Sequence, residues 1–179
     1  MQIKIQGRYM KIDRTTRTEN FGHWIGYHKD YLVSNLCTLM QKGKYNDVAD
    51  AVRIINKLEK SPRFIFSYSS RSLNLKPKII MEPAKDLTKE DNAPLITKPI
   101  VESTIGFFRN FAKALKKIEK VFDKYEPKTS VKNNHSYISE IKELIPHARG
   151  TNGDVDYNNP LYQGLAKLIK IDTGRPFKY

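Results

Sequence analysis

Large apolar residues recur at heptad spacing between Pro99 and Tyr125. Two interleaved rows share this spacing: Val101, Phe108, Leu115 and Phe122, and then Phe111, Ile118 and Tyr125. This spacing places both rows on one face of an α-helix. Pro99 is tolerated in a first helical turn, where its missing N–H would be unpaired, and Pro127 cannot continue the helix. The pattern predicts one long central helix from Pro99 to Tyr125.

Two shorter amphipathic segments come earlier in the chain. The first predicts a helix over residues 21–41, with Leu32, Leu36 and Leu39 on one face. The second predicts a helix that begins at Asp47, a favourable N-cap residue, and ends near Lys60, ahead of a proline. Because the connection between them is short, the two segments predict an antiparallel helical hairpin.

Alternating apolar and polar residues mark the expected strands. Residues 2–12 alternate, with a phase change at Gly7, and predict one strand with a bulge. Residues 63–81 alternate on both sides of a serine-rich turn and predict a β-hairpin. We expect these three strands to form one small antiparallel sheet. Pro77 predicts an edge position or an interruption of the second hairpin strand.

The C-terminal third predicts two short helices. One begins at Ser136 as its cap and ends at Pro146, and the other begins near Pro160. Residues 82–98 read as a long loop, and residues 172–179 as a flexible or docking tail. The chain therefore predicts a single α+β domain over residues 1–179, in which about three strands pack with a helical hairpin, one long helix and two short ones.

The net charge of the chain indicates the type of partner that it binds. The 179 residues contain 32 Lys and Arg against 19 Asp and Glu, a net charge of +13. Such an excess implies an acidic partner, and nucleic acid is the commonest one. Only nine of the 32 basic residues are Arg. Because Arg is the usual reader of base edges, a Lys-rich composition favours sequence-independent contact with phosphates.

The polar side of the predicted long helix carries most of the candidate binding residues. A stripe of basic residues lies opposite the apolar rows: Arg109, Lys113, Lys116, Lys117, Lys120 and Lys124. Arg14 and Arg17, in a polar segment near the N-terminus, are further candidates. One interpretation is a solvated helix face. The other is a rail for phosphates, supplied by nucleic acid or by an anionic membrane surface.

An aromatic cluster offers a second type of contact. Trp24, Tyr27 and Tyr31 lie within the first half of the predicted helix over residues 21–41. Such rings stack on nucleic-acid bases or contribute to protein interfaces. The alternative interpretation is packing in the core and at its rim.

Candidate catalytic chemistry is sparse. The chain lacks the compact motifs of P-loop, dinucleotide, zinc-protease and serine-hydrolase sites, and we expect no metal or cofactor. Acidic and amide residues alternate from Asn152 to Asn158, but Tyr157 and Gln163 replace the diagnostic Gly and Glu of a calcium loop. Glu82 ends a strand without a lysine at nuclease spacing. The single cysteine, Cys37, is expected to be a buried, unreactive thiol.

These observations favour one functional hypothesis and leave two others open. The first is a non-enzymatic structural or assembly component of a nucleic-acid-containing particle, such as a virion head or tail connector region or a ribonucleoprotein. The second is a regulator or inhibitor that binds an acidic protein surface, and the third is a nuclease with a dispersed site. Without an apolar span or signal-peptide core, we expect an intracellular or virion location. The heptad pattern also allows self-association.

Overall fold

The computed structural model describes residues 2–5, 8–11, 24, 29–69, 76–84, 99–105, 110–127, 129, 133–150 and 156–170. Within these residues the elements follow in this order: β1 Gln2–Ile5, β2 Arg8–Lys11, α1 Lys29–Gln41, α2 Tyr45–Leu58, β3 Phe64–Ser69, β4 Lys78–Pro83, β5 Val101–Thr104, α3 Phe111–Tyr125, α4 Asn134–Ala148 and α5 Pro160–Leu168. Helices and a small antiparallel sheet together confirm the predicted α+β class.

The three-stranded sheet has the order β3-β4-β5, and all of its pairs are antiparallel. The predicted hairpin is confirmed as β3 and β4, with Phe66 opposite Met81. The third strand was wrongly assigned, because β1 pairs with β2 in a separate two-stranded sheet and β5 takes its place. Pro77 lies just ahead of β4, so the central strand does not need the N–H that proline lacks.

The long helix is shorter than its heptad pattern predicts. Val101–Thr104 forms strand β5, with Val101 opposite Met81, and α3 begins only at Phe111. Val101 and Thr104 are β-branched and suit a strand, so pairing with β4 prevails over the helical spacing. The helix predicted from residue 21 is also wrong at Trp24, which forms an isolated parallel bridge with Phe66.

Asparagine caps set where the last two helices begin. Asn133, not Ser136, caps α4, since its side-chain oxygen accepts a hydrogen bond from the Ser136 N–H at 3.3 Å. Pro146 lies inside α4 instead of ending it. One missing N–H near the C-terminus removes a single hydrogen bond from the helix. The predicted start of α5 at Pro160 is confirmed, and Asn159 caps it.

Helix α2 lies at the centre of the helical part of the core. It packs against α1, α3 and α4. Large side chains from several elements are fully buried around it: Trp24, Leu32, Leu36, Phe66, Phe111 and Phe122. The Trp24 ring lies 5.4 Å from that of Phe66, and its Nε1–H donates to the Ile55 carbonyl of α2 at 3.3 Å. These contacts fix α2 and the sheet relative to each other, and α3 packs against both.

The segments predicted as a loop and a tail are only partly within the described residues. Strand β4 extends to Pro83, beyond the expected start of the loop at residue 82. Residues 85–98 and 171–179 lie outside the described part of the chain. No helix among the described residues is long and apolar enough to cross a membrane.

Candidate nucleic-acid interface

The rotation of α3 about its axis is set by its apolar face. Phe111, Leu115, Ile118 and Phe122 are fully buried. The Phe122 ring meets those of Phe64 and Phe66 edge to face, each at 6.0 Å between centroids. Aromatic pairs of this geometry add to the free energy gained by burial. With this face held against the sheet, the remaining side chains of α3 point either towards α2 or into solvent.

The side of α3 that faces α2 forms an ion-pair seam. Its members are three charged residues on each helix: Asp50, Arg53 and Lys57 of α2, and Lys116, Glu119 and Asp123 of α3. Arg53 donates two hydrogen bonds to Glu119, at 2.6 and 2.8 Å. Lys57 bridges Glu119 at 2.9 Å and Asp123 at 2.7 Å. Residues that come later in α2 pair with residues that come later in α3, so the two helices run parallel here.

Burial and pairing act against each other on the charged groups of the seam. Burial alone would raise the pKa of the Glu119 carboxyl, but hydrogen bonds from Arg53 and Lys57 outweigh it and lower that pKa. The hydrogen bond to Glu119 raises the pKa of the Arg53 guanidinium. Burial would lower the pKa of Lys57, yet its bonds to Asp123 and Glu119 raise it. All three groups are therefore held in their charged forms.

The side of α3 opposite its apolar face carries four lysines that we call the lysine face: Lys113, Lys117, Lys120 and Lys124. All four are exposed. At about 100° per residue they fall within about 60° of the helix circumference, and at 1.5 Å rise they extend over about 16 Å. No ion pair joins any of them to an acidic residue in the described part of the chain. The lysine face is thus a narrow row of uncompensated positive charge.

The structure divides the predicted basic stripe into two groups. Lys116 lies 2.5 Å from Asp50 and belongs to the seam, whereas the four other lysines form the lysine face. Arg109, Arg14 and Arg17 lie outside the described residues.

The predicted aromatic candidates are also separated. Trp24 is 1% exposed, so its ring is a core ring that no partner can reach. Tyr31 is 48% exposed and stacks on Tyr68, with centroids 5.2 Å apart and planes 8° from parallel. Tyr27 lies outside the described residues. Of the three predicted aromatic residues, Tyr31 is therefore the one whose ring is accessible to a partner in the described part of the chain.

An arginine and a tyrosine whose contact the sequence did not predict lie at the C-terminal end of α3. Tyr125, next to Lys124, is 46% exposed and packs edge to face on Phe64. The guanidinium of Arg63 donates to the Tyr125 carbonyl at 3.3 Å, and lies 5.5 Å from the Phe64 ring centroid. Arg63 and Tyr125 are 62 positions apart in the chain, which explains why no local pattern revealed this pair. They place a cation and a half-exposed aromatic ring at the end of α3 that carries Lys124.

The described residues show the surroundings of the candidate metal ligands and of the single cysteine. None of their His, Cys, Asp and Glu side chains form a group of three that could hold a metal ion. Cys37 is buried, as predicted, and this burial raises the pKa of its thiol to about 12 against the opposing effect of a backbone hydrogen bond. A thiol with so high a pKa is almost wholly protonated at neutral pH. Glu82 lies in β4 opposite Ile65, and Asp154 lies outside the described residues.

The fold and this surface define the chain as an α+β protein with one strongly basic helix face. Comparison of the chain with protein-family models, curated proteins and solved structures found no match.

Proposed function

We propose that this protein is a non-enzymatic structural or assembly component of a nucleic-acid-containing particle, such as a virion head or tail connector region or a ribonucleoprotein. In this proposal the lysine face contacts phosphates. The observation that carries it is the exposure of four lysines in one row that form no ion pair with an acidic residue among those described.

Charge balance on α3 supports this proposal. The seam contains three acidic and three basic side chains, so its charges cancel. The lysine face adds four positive charges that nothing described offsets. Lysines three or four residues apart repel one another, and a polyanion relieves that repulsion by binding. The same residues on an ordinary solvated face would usually alternate with acidic ones.

The chemistry of lysine indicates the type of contact. A lysine ammonium binds phosphate as a point charge, without the fixed fork by which arginine reads base edges. Contact through the lysine face alone should therefore be independent of sequence. If each lysine neutralises one phosphate, log affinity should fall against log salt with a slope of about −3 to −4. Tyr125 and Arg63, at the end of the face, are placed to add a stacking contact to an unpaired strand.

The proposal is tested by comparing two variants that lose the same number of lysines from different parts of the surface. The face variant replaces all four lysines of the lysine face by Gln. The control variant replaces four lysines that lie outside α3: Lys42, Lys44, Lys76 and Lys142. Both variants lose four charges from the same total. Fluorescence anisotropy over a range of salt then measures the affinity of each for duplex DNA, single-stranded DNA and RNA.

We expect the face variant to lose most of its affinity and its salt slope, and the control to keep both. Equal losses in the two variants would mean that overall charge, and not the lysine face, attracts the nucleic acid. No binding by the unchanged protein even at low salt would instead favour an acidic protein partner. The assembly role is tested by sedimentation with long nucleic acid, where discrete complexes of many protein copies are expected.

A further inference from the structure

The end of α3 that carries Lys124 also carries a half-exposed aromatic ring. Tyr125 is 46% exposed and packs edge to face on Phe64, with the ring centroids 5.5 Å apart. Phe64 is itself buried, so it supports the Tyr125 ring from within the fold. Among the described residues, the large apolar side chains classed as exposed are three tyrosines: Tyr31, Tyr125 and Tyr157. Tyr125 is the one of these that adjoins the lysine face.

Helical spacing places this ring beside the lysine face and away from the acidic residues of the seam. Successive residues of a helix are about 100° apart around its axis. Asp123 and Tyr125 therefore lie on opposite flanks of Lys124, with Asp123 in the seam and Tyr125 on the other flank. No carboxylate of the seam lies between Lys124 and the ring. A strand whose phosphates follow the lysine face therefore reaches the Tyr125 ring at the end of the row.

The acidic residue that follows Tyr125 is occupied within the protein. Glu126, whose side chain is 19% exposed, accepts a hydrogen bond from the Ser61 hydroxyl at 3.1 Å and lies 3.8 Å from the Arg63 Nε. Arg63 also donates to the Tyr125 carbonyl at 3.3 Å. These contacts offset the carboxylate and hold the backbone that carries the ring. Arg63 is thus a positioning residue for Tyr125.

A tyrosine ring beside a row of lysines distinguishes single strands from duplexes. The bases of a duplex stack on one another, and taking one out of the stack costs free energy. In an unpaired strand each base has a free π face, and stacking on an aromatic side chain adds to the phosphate contacts. Both classes of nucleic acid offer phosphates to the lysine face, but only the unpaired strand offers a base to Tyr125 at no such cost.

We infer that this surface binds single-stranded nucleic acid in preference to duplex, and that Tyr125 sets the preference by stacking on one base. The inference rests on the proposed function, in which the lysine face contacts phosphates, and it adds the class of nucleic acid that is bound. Because every base has a face on which to stack, the preference is for unpaired strands of any sequence.

The first test separates the base from the phosphates in the nucleic acid. Fluorescence anisotropy measures the affinity for three labelled probes of about 12 nucleotides: a thymidine oligomer, the same oligomer paired with its complement, and an oligomer of abasic sites. We expect the thymidine oligomer to bind about tenfold more tightly than the abasic one. It should also bind more tightly than the duplex. Charge alone would favour the duplex, whose phosphates are denser, so this order identifies a contact with the base.

The second test removes the ring from the protein. Tyr125→Ala should lower the affinity for the thymidine oligomer about tenfold and change that for the abasic oligomer less than about twofold. Tyr125→Phe keeps the ring and should bind as the unchanged protein does. Tyr157→Ala is the control, since it removes a tyrosine that is 56% exposed and packs edge to face on Tyr162, ahead of α5. It should change neither affinity by more than about twofold.

The outcomes distinguish this inference from the proposed function. If the unchanged protein binds none of the probes even at low salt, both are overturned. Equal affinities for the thymidine and abasic oligomers, tighter binding of the duplex, or no effect of Tyr125→Ala would each overturn the inference and leave phosphate contact by the lysine face intact. Equal losses in Tyr125→Ala and Tyr157→Ala would also overturn it, because the position of the ring beside the lysine face would then not matter.

Discussion

The two charged sides of α3 differ in what they contact. On the side facing α2, every charge of the seam has a partner of opposite sign, and the Glu119 side chain is only 13% exposed. On the outer side, the four lysines of the lysine face are exposed and have no acidic partner among the described residues. The same helix therefore carries one group of charges used within the protein and another left for contacts outside it.

This difference shows how a stripe of basic residues should be interpreted. A lysine's position on a helix does not reveal whether its charge is available to a partner. Lys116 and Lys117 are neighbours in the chain, yet Lys116 pairs with Asp50 and Lys117 belongs to the lysine face. Removing one partner of a partly buried pair leaves the other charge unpaired and destabilises the fold, whereas removing an exposed charge costs little. The following predictions test whether the two sides are distinct.

The largest effect should come from the residue that orients both sides. Phe122→Ala removes a fully buried ring that contacts Phe64 and Phe66, and we expect it to lower the free energy of unfolding by about 3–5 kcal/mol. The neighbouring Val121→Ala is the control, since Val121 is only partly buried and should cost about 1 kcal/mol. Urea denaturation measures both. Similar costs would mean that the Phe122 ring does not anchor α3.

Neighbouring residues on the two sides permit a direct comparison. Glu119→Gln removes a carboxylate that pairs with Arg53 and Lys57. It should lower the free energy of unfolding by about 2 kcal/mol, because Arg53 loses its ion-pair partner and Lys57 keeps only Asp123. Lys120→Gln, on the lysine face, removes two like-charge pairs and should instead raise it, by about 0.4–1 kcal/mol at low salt. Urea denaturation again measures both, and equal effects would show that the seam contributes no more than the exposed surface.

Acid should remove the stability contributed by the seam. The pKa of Glu119 is lowered in the folded protein, so its contribution is fully present above the unfolded carboxyl pKa of about 4.3 and is lost as pH falls through the folded value. The difference in unfolding free energy between the wild type and Glu119→Gln should therefore shrink from about pH 5 towards pH 2. Denaturation curves at several pH values measure this difference. A difference that stays constant in acid would contradict the assigned pKa direction.

Sequence patterns predicted the elements whose residues contact one another locally. The β3–β4 hairpin followed from alternation, α2 from helical spacing and the start of α5 from its proline. The predicted caps were wrong, because Lys44 and not Asp47 precedes α2, and Asn133 and not Ser136 caps α4. Strand β5 was missed because Val101 fits a helical row, and only pairing with β4 reveals its conformation. The long helix was accordingly extended by a segment that belongs to the sheet. Local spacing cannot decide between the two when the deciding contact is distant in the chain.

The same limit applies to the candidate sites. Helical periodicity placed the four lysines of the lysine face on one side of α3, and the structure retains that grouping. It could not separate Lys116 from them, because Asp50 lies on another helix. The hydrogen bonds by which Asn56 of α2 joins Tyr137 of α4 and Leu168 of α5 were not predicted at all, since these residues are 81 and 112 positions away in the chain. Sequence thus located the exposed charge, but not the groups that pair within the fold.

The smallest effect concerns stability on the lysine face and has the opposite sign. Three pairs of lysines lie three or four residues apart there: Lys113 with Lys117, Lys117 with Lys120, and Lys120 with Lys124. Each like-charge pair destabilises a helix by about 0.2–0.5 kcal/mol, so the face variant should gain about 0.5–1.5 kcal/mol in unfolding free energy at low salt. Denaturation at low and at high salt measures this gain, which should fade as salt screens the charges. The control variant, with its scattered substitutions, should gain less. A loss of stability in the face variant would contradict the repulsion on which the proposed binding depends, whereas a gain together with lost affinity would be the stability–activity trade-off typical of a binding surface.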